Sequence, residues 1–436
     1  MRKLILITAV LAGGLSALMA GEKLQKEITL TVEKAVELAL KNYPSVKQAA
    51  SEKDAAAARL EQKYAACRPS VDLEASFARL EPDPPFYFPG LGSFQLYPED
   101  NYEVHAGFHY TVLDLGKSAS QIALSKEMLE QSGNSLEFSR SQISYQTVQL
   151  FYSVIFLRRQ VEVQQKEIDS LTEYMEQTKN KVKFGSATDY DTLTIQVKVE
   201  ESKNAKADYE NSLNKTILQL KKNIGFDGSI KLDGKFLQEP LDLEESSLIE
   251  KALKQRAEYL MVKKSEDIAK SQLGVAENSD NPSLGISGTF GFKNGYLPVL
   301  SELQNNWVLS VGLKIPLFDG FKTENMKAEA TAALAAAGYK TKDVKETVST
   351  EVKQAISDVK TGFEKLKAAG LHVKLAEDAM SQAKVRFENG VITNLDLINA
   401  ETSLARARLF YSQAQYSYVM SVYSLKRAMG VKIWRE

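Results

Sequence analysis

The chain has 436 residues, with 55 basic and 56 acidic side chains and a formal net charge of −1. So even a balance leaves no basic face for nucleic acid, and that class of partner is excluded. The one cysteine, Cys67, excludes an internal disulfide, and 44% apolar with 25% charged residues is an ordinary aqueous composition.

The N-terminus reads as a secretory signal over 1–20. Arg2 and Lys3 form a positive end, Leu4 to Leu18 an apolar run, and Ala20 the last residue removed. No later stretch of the sequence has the length and apolarity of a membrane-spanning helix. Residues 31–66 are predicted as one helix, capped by Thr31 and ended before Pro69. Strict alternation follows over about 70–80 and 102–113. Val71, Leu73, Ala75 and Phe77 alternate with Asp72, Glu74 and Ser76; Tyr102, Val104, Ala106, Phe108 and Tyr110 alternate with Glu103, His105, Gly107 and His109. Period two predicts strands with one apolar and one small, polar face. Between them, Glu81 to Asp100 carries five of the eleven prolines and is expected to be an exposed, stiff loop.

A helical pattern then runs from about Lys117 to Val182, 66 residues without proline. At 1.5 Å per residue it is a rod of about 100 Å. Ile122, Leu129, Leu136, Ile143, Leu150 and Leu157 recur at sevens, a coiled-coil seam. Phe184-Gly185-Ser186-Ala187-Thr188 turns the chain back, and a return helix is predicted over about 191–225. The same order follows in the second half: a helix at about 246–278, strands at about 283–293 and 306–317, a long helix at about 323–387, a tip at Asn389-Gly390-Val391-Ile392-Thr393, and a return helix at about 395–430. Gly107, Asp114, Lys117, Asp191, Leu220 and Gly225 recur as Gly312, Asp319, Lys322, Asp396, Leu425 and Gly430, each 205 residues on. Residues 21–230 and 231–436 therefore read as two structural repeats of one body. The short helices of each half are expected to stack end to end along its rod. Phe226 to Glu245 and the tail after Gly430 are expected to form a belt at the waist.

Each strand has about the length a tilted β-strand needs to cross a bilayer, and Tyr102, Tyr110, Phe292 and Trp307 suit an interfacial girdle. Four strands cannot close a barrel, and an open sheet edge in lipid leaves backbone groups unpaired. Several copies must then share one barrel: eight strands would need two chains and twelve would need three. Thr188-x-x-Asp191 and Thr393-x-x-Asp396 are capping-box starts. Asp191 and Asp396 can cap their helices, line a narrow mouth, or do both. Glu103, His105, His109 and Lys314 are expected on the lumen side of the strands. His105 and His109 share a strand face but have no third ligand nearby, so no metal is expected. Gly116-Lys117-Ser118 is not a phosphate loop, because Thr111 stands where its first glycine must be. No nucleophile–base–acid set is visible, and neither a reaction nor a cofactor is expected.

Three blocks resemble the TolC-like outer-membrane efflux proteins over essentially the whole mature length: Leu30 to Leu40, Pro316-Leu317-Phe318-Asp319-Gly320, and Phe387 through Gly430 with Gly390, Thr393, Asp396, Leu397 and Ala400. The resemblance implies a mixed α+β membrane protein acting as a homotrimer. Antiparallel coiled-coil hairpins would form a periplasmic α-barrel, and four strands per chain would join a shared twelve-stranded transmembrane β-barrel in outer-membrane lipid. It implies a passive export duct for efflux or type I secretion, joined to an inner-membrane pump through a periplasmic adaptor (membrane fusion) protein. It also implies a mouth near Asp396, Asn399, Asp189 and Asp191, with Asn399 where the family carries a second acid and Ile392 where some members carry a basic latch. The adaptor would dock on Gly185, Ser186, Ala187, Gly390, Val391 and Ile392. The rival readings are a non-conducting secreted or periplasmic coiled-coil structural protein, and a periplasmic adaptor; the latter lacks duplicated halves with membrane-length strands.

Overall fold

The computed structural model describes residues 27–435 apart from 83–84, 91, 96 and 242. The signal segment 1–20 and part of the proline-rich loop lie outside them. In the first half β1 (Glu27–Leu30) leads into α1 (Val32–Asn42) and α2 (Pro44–Ala65), then β2 (Ser70–Arg79), a small hairpin β3 (Phe86–Phe88) and β4 (Gly92–Phe94), and β5 (Asp100–Leu113). The rod α3 (Lys117–Lys183), the return helix α4 (Asp189–Ile224) and β6 (Ser229–Leu232) complete it. The second half holds α5 (Glu245–Gln255), α6 (Ala257–Glu277), β7 (Ser283–Lys293), β8 (Gln304–Lys314), the rod α7 (Lys322–Glu388) and α8 (Asn394–Ala428), ending in a 3-10 turn, Ile433–Arg435. Each rod has 67 residues, about 100 Å of helix.

Three of the sequence expectations are corrected. The single helix expected over 31–66 is two helices, because Pro44 cannot donate to the preceding turn and Tyr43 takes an extended conformation (φ −68°, ψ 129°). The helix expected over 246–278 also breaks, at Arg256 (φ −71°, ψ 120°), where no proline announces it. There the chain end of α8 presses in: a Cβ on Gly430 would stand 2.6 Å from the Arg256 backbone nitrogen. The strand expected to reach residue 317 ends at Lys314, before Pro316.

These breaks mark where short helices meet. α1 and α2 lie along the upper part of α3 and α4 along the rest, and the join is closed by Asn42 Nδ2 donating to the Ile224 carbonyl at 2.7 Å. In the second half α5, α6 and α8 pack on α7, with Gly430 set against Arg256. The larger cores sit at these joins. One gathers Leu30, Val36, Phe151, Leu220, Ile224 and Phe236. The other gathers Val352, Ile356, Val359, Tyr418 and Leu425. Each such side chain contributes about 1.5–3 kcal/mol when fully buried. The belt contains a pairing that periodicity did not announce: β1 runs parallel to β6, with Ile28 opposite Ile230 and Leu30 opposite Leu232.

The four long strands form one antiparallel sheet in the order β2-β5-β7-β8. Its register keeps the two faces distinct. Leu73, Ala106, Phe290 and Trp307 form one apolar row; Glu74, His105, Gly291 and Asn306 form the polar row beside it. A bulge between Thr111 and Leu113 returns Leu113 to the apolar face, opposite Leu284. Both outer edges, on β2 and β8, have no partner strand among the described residues. The turns from strand into rod are alike. Asp114 accepts from the Gly116 and Ser118 amides, and Asp319 from the Lys322 and Thr323 amides, anchoring the free N–H groups that open each helix.

Candidate functional site

The sheet carries its apolar side outward without cover. Val71 is 76% exposed, Leu73 77% and Trp307 72%. Along the start of β5 the polar side is the more sheltered: Tyr102, Val104 and Ala106 are exposed, whereas Glu103 and His105 are half-buried and Gly107 is buried. On that face His105 lies between two carboxylates, Nε2 being 3.6 Å from Glu74 and Nδ1 3.6 Å from Glu103. Lys293 stands 3.5 Å from the other oxygen of Glu103. The carboxylates address opposite edges of the ring and do not converge on a common point. Among the described residues no three His, Cys, Asp or Glu side chains group as metal ligands do. A Cβ at Gly291 would lie 2.1 Å from the Val104 carbonyl oxygen, so only glycine lets β5 and β7 approach beside His105. His109 faces the same way, opposite Ser287, and Lys314 ends the row opposite Ser283. Among the described residues no helix is long and apolar enough to cross a membrane.

At the far end of the rods the chain turns twice. Gly185 and Gly390 adopt left-handed conformations, and the next residues, Ser186 and Val391, each donate 2.8 Å backbone bonds to Lys181 and Arg386. Gly185, Ser186, Gly390 and Val391 are exposed, while Ala187 is half-buried. Ile392 turns inward and packs with Phe387, Leu397 and Met380. The position that the resemblance gives to a basic latch is thus an apolar contact within the tip.

Both return helices begin with full capping boxes. Asp191 Oδ2 accepts from the Thr188 hydroxyl at 2.7 Å and its amide at 2.9 Å; Asp396 Oδ2 accepts from Thr393 at 2.7 and 3.0 Å. The threonine hydroxyl and then its amide hold each carboxyl below the usual carboxylate range. Asp189 opens α4 and is exposed, and Asn399 is exposed one turn beyond Asp396.

Several residues that the sequence reading missed tie the two tips together. Thr178 Oγ1 donates to Asn394 Oδ1 at 3.1 Å, and Asn394 also hydrogen-bonds the Asp191 carboxylate. Lys181 donates to the Phe387 carbonyl at 3.3 Å and lies 3.6 Å over its ring. Higher up, buried Tyr174 donates to Glu401 at 3.5 Å. Only Glu401 left a trace in sequence: it interrupts the apolar spacing Leu397, Glu401, Leu404.

The family described as "Outer membrane efflux protein" matches residues 35–225 and 248–431. The outer membrane protein TolC of Vibrio cholerae is 23% identical over 401 residues, covering 90% of this chain and 89% of that one. The alkaline protease secretion protein AprF of Pseudomonas aeruginosa is 22% identical, covering 65% of this chain and 60% of its own. The crystal structure of the Campylobacter jejuni CmeC outer membrane channel superposes with a TM-score of 0.79 at 20% identity, covering 92% of this chain and 86% of that one. With the family match spanning both halves, this chain belongs to the outer membrane efflux protein family.

Proposed function

We propose that the protein is a passive export duct of the outer membrane, built from three copies. The observation that carries this reading is the four-stranded sheet: one face apolar and exposed, the other polar, and both edges without a partner strand among the described residues. Such a sheet is stable in lipid only when its edges are closed by other strands. β2 bounds one side and β8 the other, so copies join head to tail and the contact closes into a ring. Twelve strands follow from three copies. The same side of the chain presents α2 above and α4 below, and the opposite side presents α7 along its length, so the rods continue the wall as a helical tunnel. Glu103, His105, His109 and Lys314 then face the lumen, and Asp189, Asp191, Asp396 and Asn399 surround the distal mouth. The exposed tip residues Gly185, Ser186, Gly390 and Val391, with Ala187 and Ile392, offer the surface for a periplasmic adaptor, and an inner-membrane pump supplies direction and energy. The duplicated halves are read as one hairpin-and-rod module used twice.

The test is twofold. Light scattering of the detergent-solubilised protein is expected to give about three times the 48.4 kDa chain, less its signal segments. Planar-bilayer recording is expected to give a conductance that rises in Asp396→Ala. A monomer, or a membrane-inserted protein silent in both forms, overturns the proposal.

A further inference from the structure

Two glutamates lie in the seam between the first rod and the second return helix, where coiled-coil geometry calls for apolar side chains. Glu167 on α3 is 8% exposed and Glu401 on α8 is 5% exposed. Along this part of α3 the polar Gln160, Gln164 and Thr178 are buried together with the apolar Ile168 and Leu171 and with Tyr174. Tyr174 donates to Glu401, and among the described residues neither carboxylate takes part in an ion pair. The cations that face them are committed elsewhere or stand farther off. Arg408 pairs with Glu377 of α7 at 2.9 Å, and Lys198 of α4 pairs with Glu201 at 2.6 Å. Arg406 faces Glu167 from α8 without closing on it. Ser202 of α4 and Ser170 of α3 supply hydroxyls. Glu173 of α3 and Glu388 of α7 add negative charge near Tyr174, and Lys384 of α7 answers Glu173 at 3.8 Å.

Two carboxylates buried in one seam without a closed ion pair cannot both ionise cheaply. We propose that Glu167 and Glu401 form a proton-operated clasp between α3 and α8. Protonated, the pair holds the second coiled coil against the first; ionised, it pushes them apart and frees α8 and its tip. The clasp concerns the chain itself and holds whether or not the protein conducts. Where the duct reading also holds, the mouth opens more readily at neutral pH than in acid.

The direction of the pH dependence follows from burial, which raises both carboxyls above the ordinary glutamate value of 4.5; for Glu401 the neighbouring Glu167 adds to this. A carboxyl raised in the closed seam binds more protons there than when exposed. Closure is therefore strongest below pH 4.5 and weakens as pH climbs through the raised values. The two groups titrate as a pair rather than one by one.

The test places nitroxide labels at the exposed positions Lys166 and Ser403, in a full-length Cys67→Ser chain diluted with unlabelled chain in detergent. Distances are read from pH 4.5 to about 8. The expected result is a reversible shift of about 1–2 Å to longer separation, with broadening, as pH rises. The double variant Glu167→Gln, Glu401→Gln, neutral at every pH, is expected to keep the short, narrow distribution throughout. A wild-type separation that does not change with pH overturns the clasp, as does a double variant that responds as the wild type does. If the double variant fails to fold, the wild-type titration alone decides.

Discussion

Gly390 and Gly430 offer a controlled pair of substitutions, because they share a backbone conformation and differ in their surroundings. Their φ angles are +72° and +71°, so alanine at either forces an L-residue into the left-handed region. That term costs about 1–2 kcal/mol and is common to both. Around Gly390 an added Cβ meets nothing within 4 Å. At Gly430 it would stand 2.6 Å from the nitrogen and Cα of Arg256 and 2.7 Å from the Gln255 carbonyl carbon. All three are backbone atoms of the α5–α6 break and cannot turn aside as a side chain would. Overpacking of this kind adds about 1–3 kcal/mol. Gly430→Ala is therefore expected to cost about 2–5 kcal/mol and Gly390→Ala about 1–2. Guanidinium unfolding of the detergent-solubilised protein, followed by far-ultraviolet circular dichroism, measures both. Equal midpoint shifts for the two variants would refute the claim that the waist is held by direct backbone contact between α8 and the broken helix.

Three further outcomes are expected. Leu309 and Ser310 are neighbours on opposite faces of β8; Leu309→Arg is expected to lose about 2–4 kcal/mol of stability in membranes and Ser310→Arg much less. Heat stability of the membrane-extracted oligomer reads the difference, and equal loss would mean that the sheet has no lipid side. At the tips, Thr188→Ala is expected to cost about 1 kcal/mol and to speed amide exchange in the first turn of α4. The lowered Asp191 and Asp396 carboxyls stabilise the caps above 3.8 and lose that effect as pH falls through their folded values. Exchange in both first turns should therefore rise in strong acid beyond the intrinsic rate, and Asp396→Asn should remove that dependence in α8. Unchanged protection at the start of α8 in the wild type would contradict it.

The faces of β5 were legible because alternation is a local property: Glu103, His105 and His109 share one side whatever the strand pairs with. The capping boxes were legible for the same reason, since Thr393 and Asp396 need only each other and the helix they open. That left their role undivided, and in the tip Asp396 spends one carboxylate oxygen on the cap while remaining exposed. Ile392 could not be placed from sequence. Its packing against Phe387 and Met380 depends on how the turn folds back on its own helix.

By itself the sequence determined the period of every long element and the two rods. These follow from dihedral preference and side-chain spacing over one or two turns. The tertiary structure alone decided the break at Arg256, the parallel pairing of β1 with β6, and the buried Glu167 and Glu401 in the α3–α8 seam. Each of those joins segments about two hundred residues apart, where local preference is silent and packing, desolvation and backbone contact choose the outcome.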